Sequence, residues 1–107
     1  MGLFDFLMGG GADINAGVEE YKKTAGAVLL DVRTVAEYKD GHVPGSINIP
    51  LQNIQQVTSK VREKSTPLYV YCHSGGRSAQ AAAGLKQLGY TNVHNIGGIM
   101  NYRGAVE

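Results

Sequence analysis

Leu68-Tyr-Val-Tyr-Cys72-His-Ser-Gly-Gly-Arg77-Ser78 is the stretch on which the reading of this chain turns. An apolar, β-prone run ends on the protein's only cysteine. A short loop with two glycines follows, then a helix-forming run from Ala79 to Leu88. Strand, cysteine, tight loop and helix in that order make a thiol reactive. The nucleophile is the thiolate, and a helix N-terminus and a nearby cation lower the pKa of a cysteine. Gly75 and Gly76 let the backbone turn sharply, and a tightly wound loop points several N–H groups inward as an anion nest. The helix expected to begin near Ser78 adds unpaired N–H groups and the positive end of its dipole. Arg77 supplies a permanent charge and a planar fork of donors. The same cradle suits an anionic substrate. The competing account, an inert buried cysteine, requires the glycines, arginine and helix start to fall in register by chance.

The charge pattern agrees. Between Lys64 and Val106 there is no Asp or Glu, while Lys64, Arg77, Lys86 and Arg103 lie in that span. Eight of the nine acids lie at Glu63 or before. The formal charge of +1 is not a nucleic-acid-binding balance. It points instead to a small anion near the cysteine.

With 107 residues the chain suits one domain with a single core. We divide it into an apolar and glycine-rich segment, residues 1–12, and one domain, residues 13–107. Leu3, Phe4, Phe6, Leu7 and Met8 read as a turn of helix that packs on the domain or on a second copy. It lacks the basic face of a membrane-surface helix, and no apolar run is long enough to span a bilayer. A lone cysteine forms no internal disulfide, which favours a reducing, cytoplasmic setting. The start Met1-Gly-Leu-Phe-Asp lacks a basic n-region, so no secretory leader is expected, and Phe6 argues against myristoylation.

Taken in order, Asp13-Ile14-Asn15 reads as a short edge strand leading to a helix that Asn15 or Asp13 caps, with Val18, Tyr21 and Ala25 inward. Ala27-Val-Leu-Leu30 reads as a strand covered on both faces. Thr34 and Glu37 form a capping box on a helix over residues 35–39. Arg33 and Glu37 are expected to pair there. Residues 47–49 form a brief strand, and residues 51–63 a helix with Leu51, Ile54, Val57 and Val61 inward. Ala81, Ala82, Leu85 and Leu88 line the helix after the cysteine loop. Residues 91–96 form the last strand, Gly97-Gly98 a turn, and residues 99–103 a short helix. Alternating strands and helices imply a doubly covered parallel sheet. Ligands sit beyond the carboxyl ends of its strands. That places Cys72 in a shallow crevice, with Asp31 to Arg33 and Gly97-Gly98 alongside.

Several segments together resemble a rhodanese-like domain. They are Leu30-Asp-Val-Arg33, Glu37-Tyr38, Gly41-His-Val-Pro-Gly-Ser-Ile-Asn-Ile-Pro50, Tyr71-Cys-His-Ser-Gly-Gly-Arg-Ser78, Leu88-Gly-Tyr90 and Gly97-Gly98-Ile99. The resemblance implies an α/β fold with a five-stranded, mostly parallel central sheet flanked by helices. It implies that Cys72 accepts a sulfane sulfur as a persulfide and passes it to a nucleophile. Thiosulfate and cyanide are the implied donor and acceptor, with thiols as further acceptors. The active loop then runs from Cys72 to Arg77 and closes at Ser78. Backbone amides of His73, Ser74, Gly75, Gly76 and Arg77 cradle the sulfur, and Arg77 holds the donor's anionic end. Four residues separate Cys72 from Arg77. The loops of related phosphatases are one residue longer, so this spacing favours sulfur transfer. Tyr102 stands where a tryptophan is common in the family.

The implied chemistry requires no metal or organic cofactor. His73 lines the entrance or acts as an acid or base. His42 and His94 read as turn and surface residues. Two functions share every loop residue: an enzyme that turns over small sulfur donors, and a persulfide carrier that relays sulfur to a partner protein. A Cys-based phosphatase is the third. With no second cysteine, the sulfur acceptor must come from outside the chain.

Overall fold

The computed structural model describes residues 12–107. The segment over residues 1–12 lies, Ala12 apart, outside the described residues. Four apolar runs become strands: β1 (Val28–Asp31), β2 (Ser46–Asn48), β3 (Leu68–Cys72) and β4 (Val93–Gly98). They form one sheet in the order β2-β1-β3-β4, every neighbouring pair parallel. Among the described residues the sheet therefore has four strands, where five were expected. The difference includes Asp13-Ile14-Asn15, which opens helix α1 (Ile14–Lys23) instead of forming an edge strand. Asp13 is its N-cap, and the carboxylate accepts the Asn15 N–H at 3.0 Å. A capping carboxylate satisfies a helix donor that an isolated edge residue leaves to water. Ile14, Gly17 and Val18 are the buried side of α1, while Ala25 is exposed.

Helix α2 (Val35–Asp40) carries the capping box: Glu37 N–H donates to Thr34 Oγ1, and Thr34 N–H donates to the Glu37 carboxylate. The continuous helix expected over residues 51–63 is absent. A 3₁₀ turn spans Leu51–Gln56, with Asn53 off the helical angles, and helix α3 covers only Val57–Lys60. Pro50 offers no side-chain cap there, and β-branched Val57, Thr58 and Val61 weaken helix propensity. Helix α4 (Gly76–Gln87) starts two residues before Ser78. Gly97 and Gly98 belong to β4 and not to a turn, because they pair with Tyr71 and Cys72. Only Ile99–Asn101 forms the 3₁₀ turn that follows.

The two sheet faces follow from the period of two in β3. Leu68, Val70 and Cys72 face a core with Leu30, Val57, Ala81, Leu85 and Tyr90. Tyr69 and Tyr71 face the opposite core with Ile14, Val18, Leu29, Val43 and Ile96. Tyr102 packs half-buried against that second core. The Tyr71 hydroxyl is the polar centre of this side. It accepts the Val43 N–H at 3.1 Å and donates to Ser46 Oγ at 3.1 Å, while Ser46 Oγ donates to the Val43 carbonyl. Burial pushes the Tyr71 phenol well above its ordinary value. No helix among the described residues is long and apolar enough to cross a membrane.

Candidate active site

Cys72 is the last residue of β3, and β3 is the strand between β1 and β4. The chain leaves the carboxyl end of the sheet there and re-enters as α4 after only three residues, His73, Ser74 and Gly75. Two glycines make this tight return possible. Gly75 is the N-cap of α4 at φ +110°, a left-handed conformation that favours glycine. Gly98 pairs with Cys72 across the sheet, and a Cβ on it would lie 2.5 Å from Ser74 Cα and 2.7 Å from His73 C. Only a residue without a side chain lets β4 pass beneath the loop.

The thiol is not in a shallow crevice. Cys72 is 1 % exposed and belongs to the core on the α4 side. Its neighbour is a helix start, and the loop closes over it. Gly75 N–H donates to Sγ at 3.0 Å, and Ser78 Oγ lies 3.5 Å from Sγ. Burial raises the thiol pKa, but hydrogen bonds outweigh it. They come from the Ser78 hydroxyl and from the N–H groups of Ser78, Gly75 and Ser74, so the pKa falls below its ordinary value. These donors favour the thiolate form of Cys72 at the floor of a helix N-terminus.

The loop is pinned from β4 by Asn95, a residue that the sequence reading left out. Asn95 Oδ1 accepts the Gly97 N–H at 3.0 Å and the Ser78 hydroxyl at 2.7 Å. Its Nδ2 reaches the Gly75 carbonyl at 3.4 Å. The Gly97 N–H can only donate, so it fixes which way the Asn95 amide faces. Ser78 has one hydroxyl proton, for which Asn95 Oδ1 at 2.7 Å, the Gly75 carbonyl at 3.0 Å, and Sγ and the Gly97 carbonyl at 3.5 Å compete. The signal for Asn95 in the sequence is weak, because β4 reads Val-His-Asn-Ile-Gly-Gly and Asn95 stands beside a second polar residue, His94. On the other side of the loop, Met100 N–H donates to the His73 carbonyl at 3.1 Å. The side chains of His73 and Ser74 are exposed, and Gly76 is exposed on the first turn of α4.

Arg77 does not point its fork at open space. Nη1 and Nη2 donate to Oε1 and Oε2 of Glu37 at 2.8 and 3.0 Å. The Arg77 guanidinium holds the Glu37 carboxyl at about 2; burial opposes this, and the Thr34 donors assist it. In return Glu37 raises Arg77 further above its already high value. The expected pairing of Arg33 with Glu37 is therefore replaced. Arg33 turns inward and binds Asp31, with Nη2 to Oδ2 at 2.7 Å and Nε to both oxygens at 3.0 Å. Arg33 Nη2 also donates to the Gly41 carbonyl at 2.7 Å, closing the loop after α2. The short reach from Asp31 to Arg33 along one extended turn beats the Glu37 alternative, and Glu37 is left for Arg77. His42 and His94 are half-buried and stack on Tyr38 and Tyr69, with ring centroids 3.8 and 4.7 Å apart.

Residues 15–105 match the rhodanese-like domain. The thiosulfate sulfurtransferase PspE of Escherichia coli is 41 % identical over 71 residues, covering 65 % of this chain and 68 % of that protein. The putative sulfur carrier protein YrkF of Bacillus subtilis is 36 % identical over 80 residues, 74 % of this chain but only 43 % of that protein. Among solved structures, a rhodanese with anions from E. coli superposes with a TM-score of 0.71 at 35 % identity, covering 76 % of this chain and 96 % of that one. The rhodanese-like domain of an Anabaena protein gives a TM-score of 0.77 at 27 % identity over 89 % of this chain and 76 % of that one. The chain belongs to the rhodanese-like family of sulfurtransferases.

Proposed function

We propose that this chain moves a sulfane sulfur from thiosulfate or a related donor, through a persulfide on Cys72, to cyanide or a thiol. The observation that carries the reading is the Cys72 sulfur at the helix start, with the Gly75 N–H donating to Sγ at 3.0 Å. Cys72 Sγ attacks the outer sulfur of the donor. An S–S bond forms on Cys72, the donor's S–S bond breaks, and sulfite leaves with the electron pair. The acceptor then attacks the outer sulfur of the persulfide and regenerates the thiolate. In this reading Cys72 is the nucleophile and Arg77 the anion-facing group. His73, Ser74, Gly75 and Gly76 form the lip, with Ser78 beneath. Preorganised N–H groups stabilise charge without reorganising during the reaction. A lone cysteine suits a reducing compartment such as the cytoplasm.

A second reading, a carrier that relays sulfur to a partner protein, is favoured by the occupation of Arg77 by Glu37 and by the absence of a second cysteine in the chain. Intact mass after thiosulfate, then after cyanide, separates the two. A gain of one sulfur that cyanide removes as thiocyanate supports the enzyme. A stable gain that only a protein thiol removes supports the carrier. No gain with any sulfane donor overturns both.

A further inference from the structure

Resting on the sulfur-transfer reading above, we propose that Glu37 sets donor specificity. It keeps Arg77 neutralised, so that the Cys72 site selects a low-charge organic persulfide over a dianion such as thiosulfate.

The geometry is that of an occupied anion site. The carboxylate of Glu37 takes both terminal nitrogens of Arg77, the fork-to-fork arrangement in which a guanidinium binds a carboxylate or an oxyanion. Glu37 is itself held in place. Thr34 N–H and Thr34 Oγ1 donate to Oε1 at 2.9 and 3.1 Å, and the N-terminal turn of α2 sits behind it. A donor anion must therefore displace a preorganised carboxylate before it reaches Arg77. The second guanidinium on this side of the sheet gives no help. Arg33 is 5 % exposed and bound to Asp31, which is wholly buried.

The charges decide the matter. When Cys72 reacts it does so as the thiolate, and with the Arg77–Glu37 pair that leaves one net negative charge at the mouth. A thiosulfate dianion approaches against that charge, and like charges brought together at a binding surface are disfavoured. An organic persulfide carries at most one negative charge at the reacting end, and its protonated form R–S–SH, the form that reacts with the thiolate, carries none. Cys72 Sγ attacks its outer sulfur and the new S–S bond forms. The donor's S–S bond breaks with its electron pair on the inner sulfur, which takes up the proton and leaves as the thiol R–SH. Cys72 ends as Cys72–S–S⁻. The site carries the same single negative charge before and after, and no oxidant or reductant is consumed. The surroundings suit an organic group. Met100, whose N–H holds the loop at His73, is 60 % exposed and offers an apolar side chain beside the loop.

Glu37→Gln tests this, because glutamine retains the capping-box acceptor for Thr34 while removing the charge. The measured quantity is the ratio of kcat/KM with thiosulfate to kcat/KM with cysteine persulfide. The wild type is expected to favour the persulfide, and the variant to raise the ratio by roughly two- to fivefold, the scale of one partly exposed charge. A ratio that stays the same or falls overturns the inference. Salt gives a check without a variant. In the wild type, thiosulfate kcat/KM should rise with ionic strength as repulsion is screened, and a fall would overturn the inference. If neither donor puts sulfur on Cys72 by intact mass, the sulfur-transfer reading itself fails. Loading by both donors with an unmoved ratio removes only the role given to Glu37.

Discussion

Gly98→Ala probes whether the close passage of β4 beneath the loop is what sets the cradle. An added Cβ would lie 2.5 Å from Ser74 Cα and 2.7 Å from His73 C. Carbon atoms rest at about 3.5 Å, so the loop backbone must retreat by about 1 Å. These neighbours are main-chain atoms, so no side-chain rotation relieves the contact. Gly75 N–H now lies 3.0 Å from Sγ. The same retreat stretches that bond to about 4 Å, beyond hydrogen-bonding range. A displacement of this size costs about 10²-fold in rate when it separates positioned groups. Overpacking adds about 1–3 kcal/mol of destabilisation, or a Tm lower by about 4–8 °C per kcal/mol for a domain of this size. The assay is kcat/KM for sulfur transfer beside a thermal melt. Gly84→Ala is the control: its Cβ meets only Ile54 Cγ2 at 3.9 Å, within helix α4. It is expected to gain about 0.5–1 kcal/mol from helix propensity at undiminished activity. Wild-type transfer by the Gly98→Ala protein would refute the reasoning.

Three further outcomes are expected. Cys72→Ser abolishes transfer while melting within a few degrees of the wild type, and any sulfur gained by that variant on intact mass counts against Cys72 as the carrier. Tyr71→Phe removes the acceptor of the Val43 N–H in a fully buried setting, and an unsatisfied donor there costs about 1–3 kcal/mol; an unchanged urea midpoint would contradict the network. Arg77→Ala weakens thiosulfate use more than stability and removes one component of acid sensitivity. The folded-state pKa of Glu37 is depressed from 4.5 to about 2, so its stabilising contribution is present above about 4.5 and is lost as pH falls toward 2. The stability gap between wild type and Arg77→Ala should narrow across that window, and a gap that widens there would reverse the assignment.

The parts of the fold that were legible in the sequence have a local cause. β3 was readable because five residues in a row are buried on both faces, and the capping box because Thr34 and Glu37 stand three apart. What was not legible depended on contacts between distant residues. Asp13 is legible as a helix cap, but the edge strand expected over Asp13-Ile14-Asn15 is absent because α1 already begins at Ile14 and packs on β4. Residues 51–63 have helical spacing, yet without a cap at Pro50 the first half tightens into a 3₁₀ turn. The charge segregation along the chain misled in one respect. No acid lies near Arg77 in sequence, but Glu37, forty positions earlier, is its partner in space. Asn95 escaped notice for the same reason, since its partners Ser78 and Gly75 lie across the sheet.

The register slip between β3 and β4 explains why those long-range contacts converge on one loop. Val70 pairs with Asn95 but Tyr71 pairs with Gly97, so Ile96 is an extra residue on β4. Successive strand residues serve opposite faces, and the extra residue of the bulge resets the pairing beyond them. Asn95 turns to the α4 side and holds Ser78, while Ile96 enters the opposite core against Gly17 of α1. Gly97, at φ +102°, completes the turn of the backbone and brings Gly98 level with Cys72. The cradle is thus fixed by a neighbouring strand and not only by its own helix. Its N–H groups are aimed before any substrate arrives, and a site that is already aimed loses little to reorganisation when charge develops on sulfur. Without the bulge, regular pairing would set Ile96 opposite Tyr71 and Gly97 opposite Cys72, and Gly98 would slide out of register with the cysteine. On this argument the spacing of Asn95, Gly97 and Gly98 belongs to the site as much as the cysteine loop does.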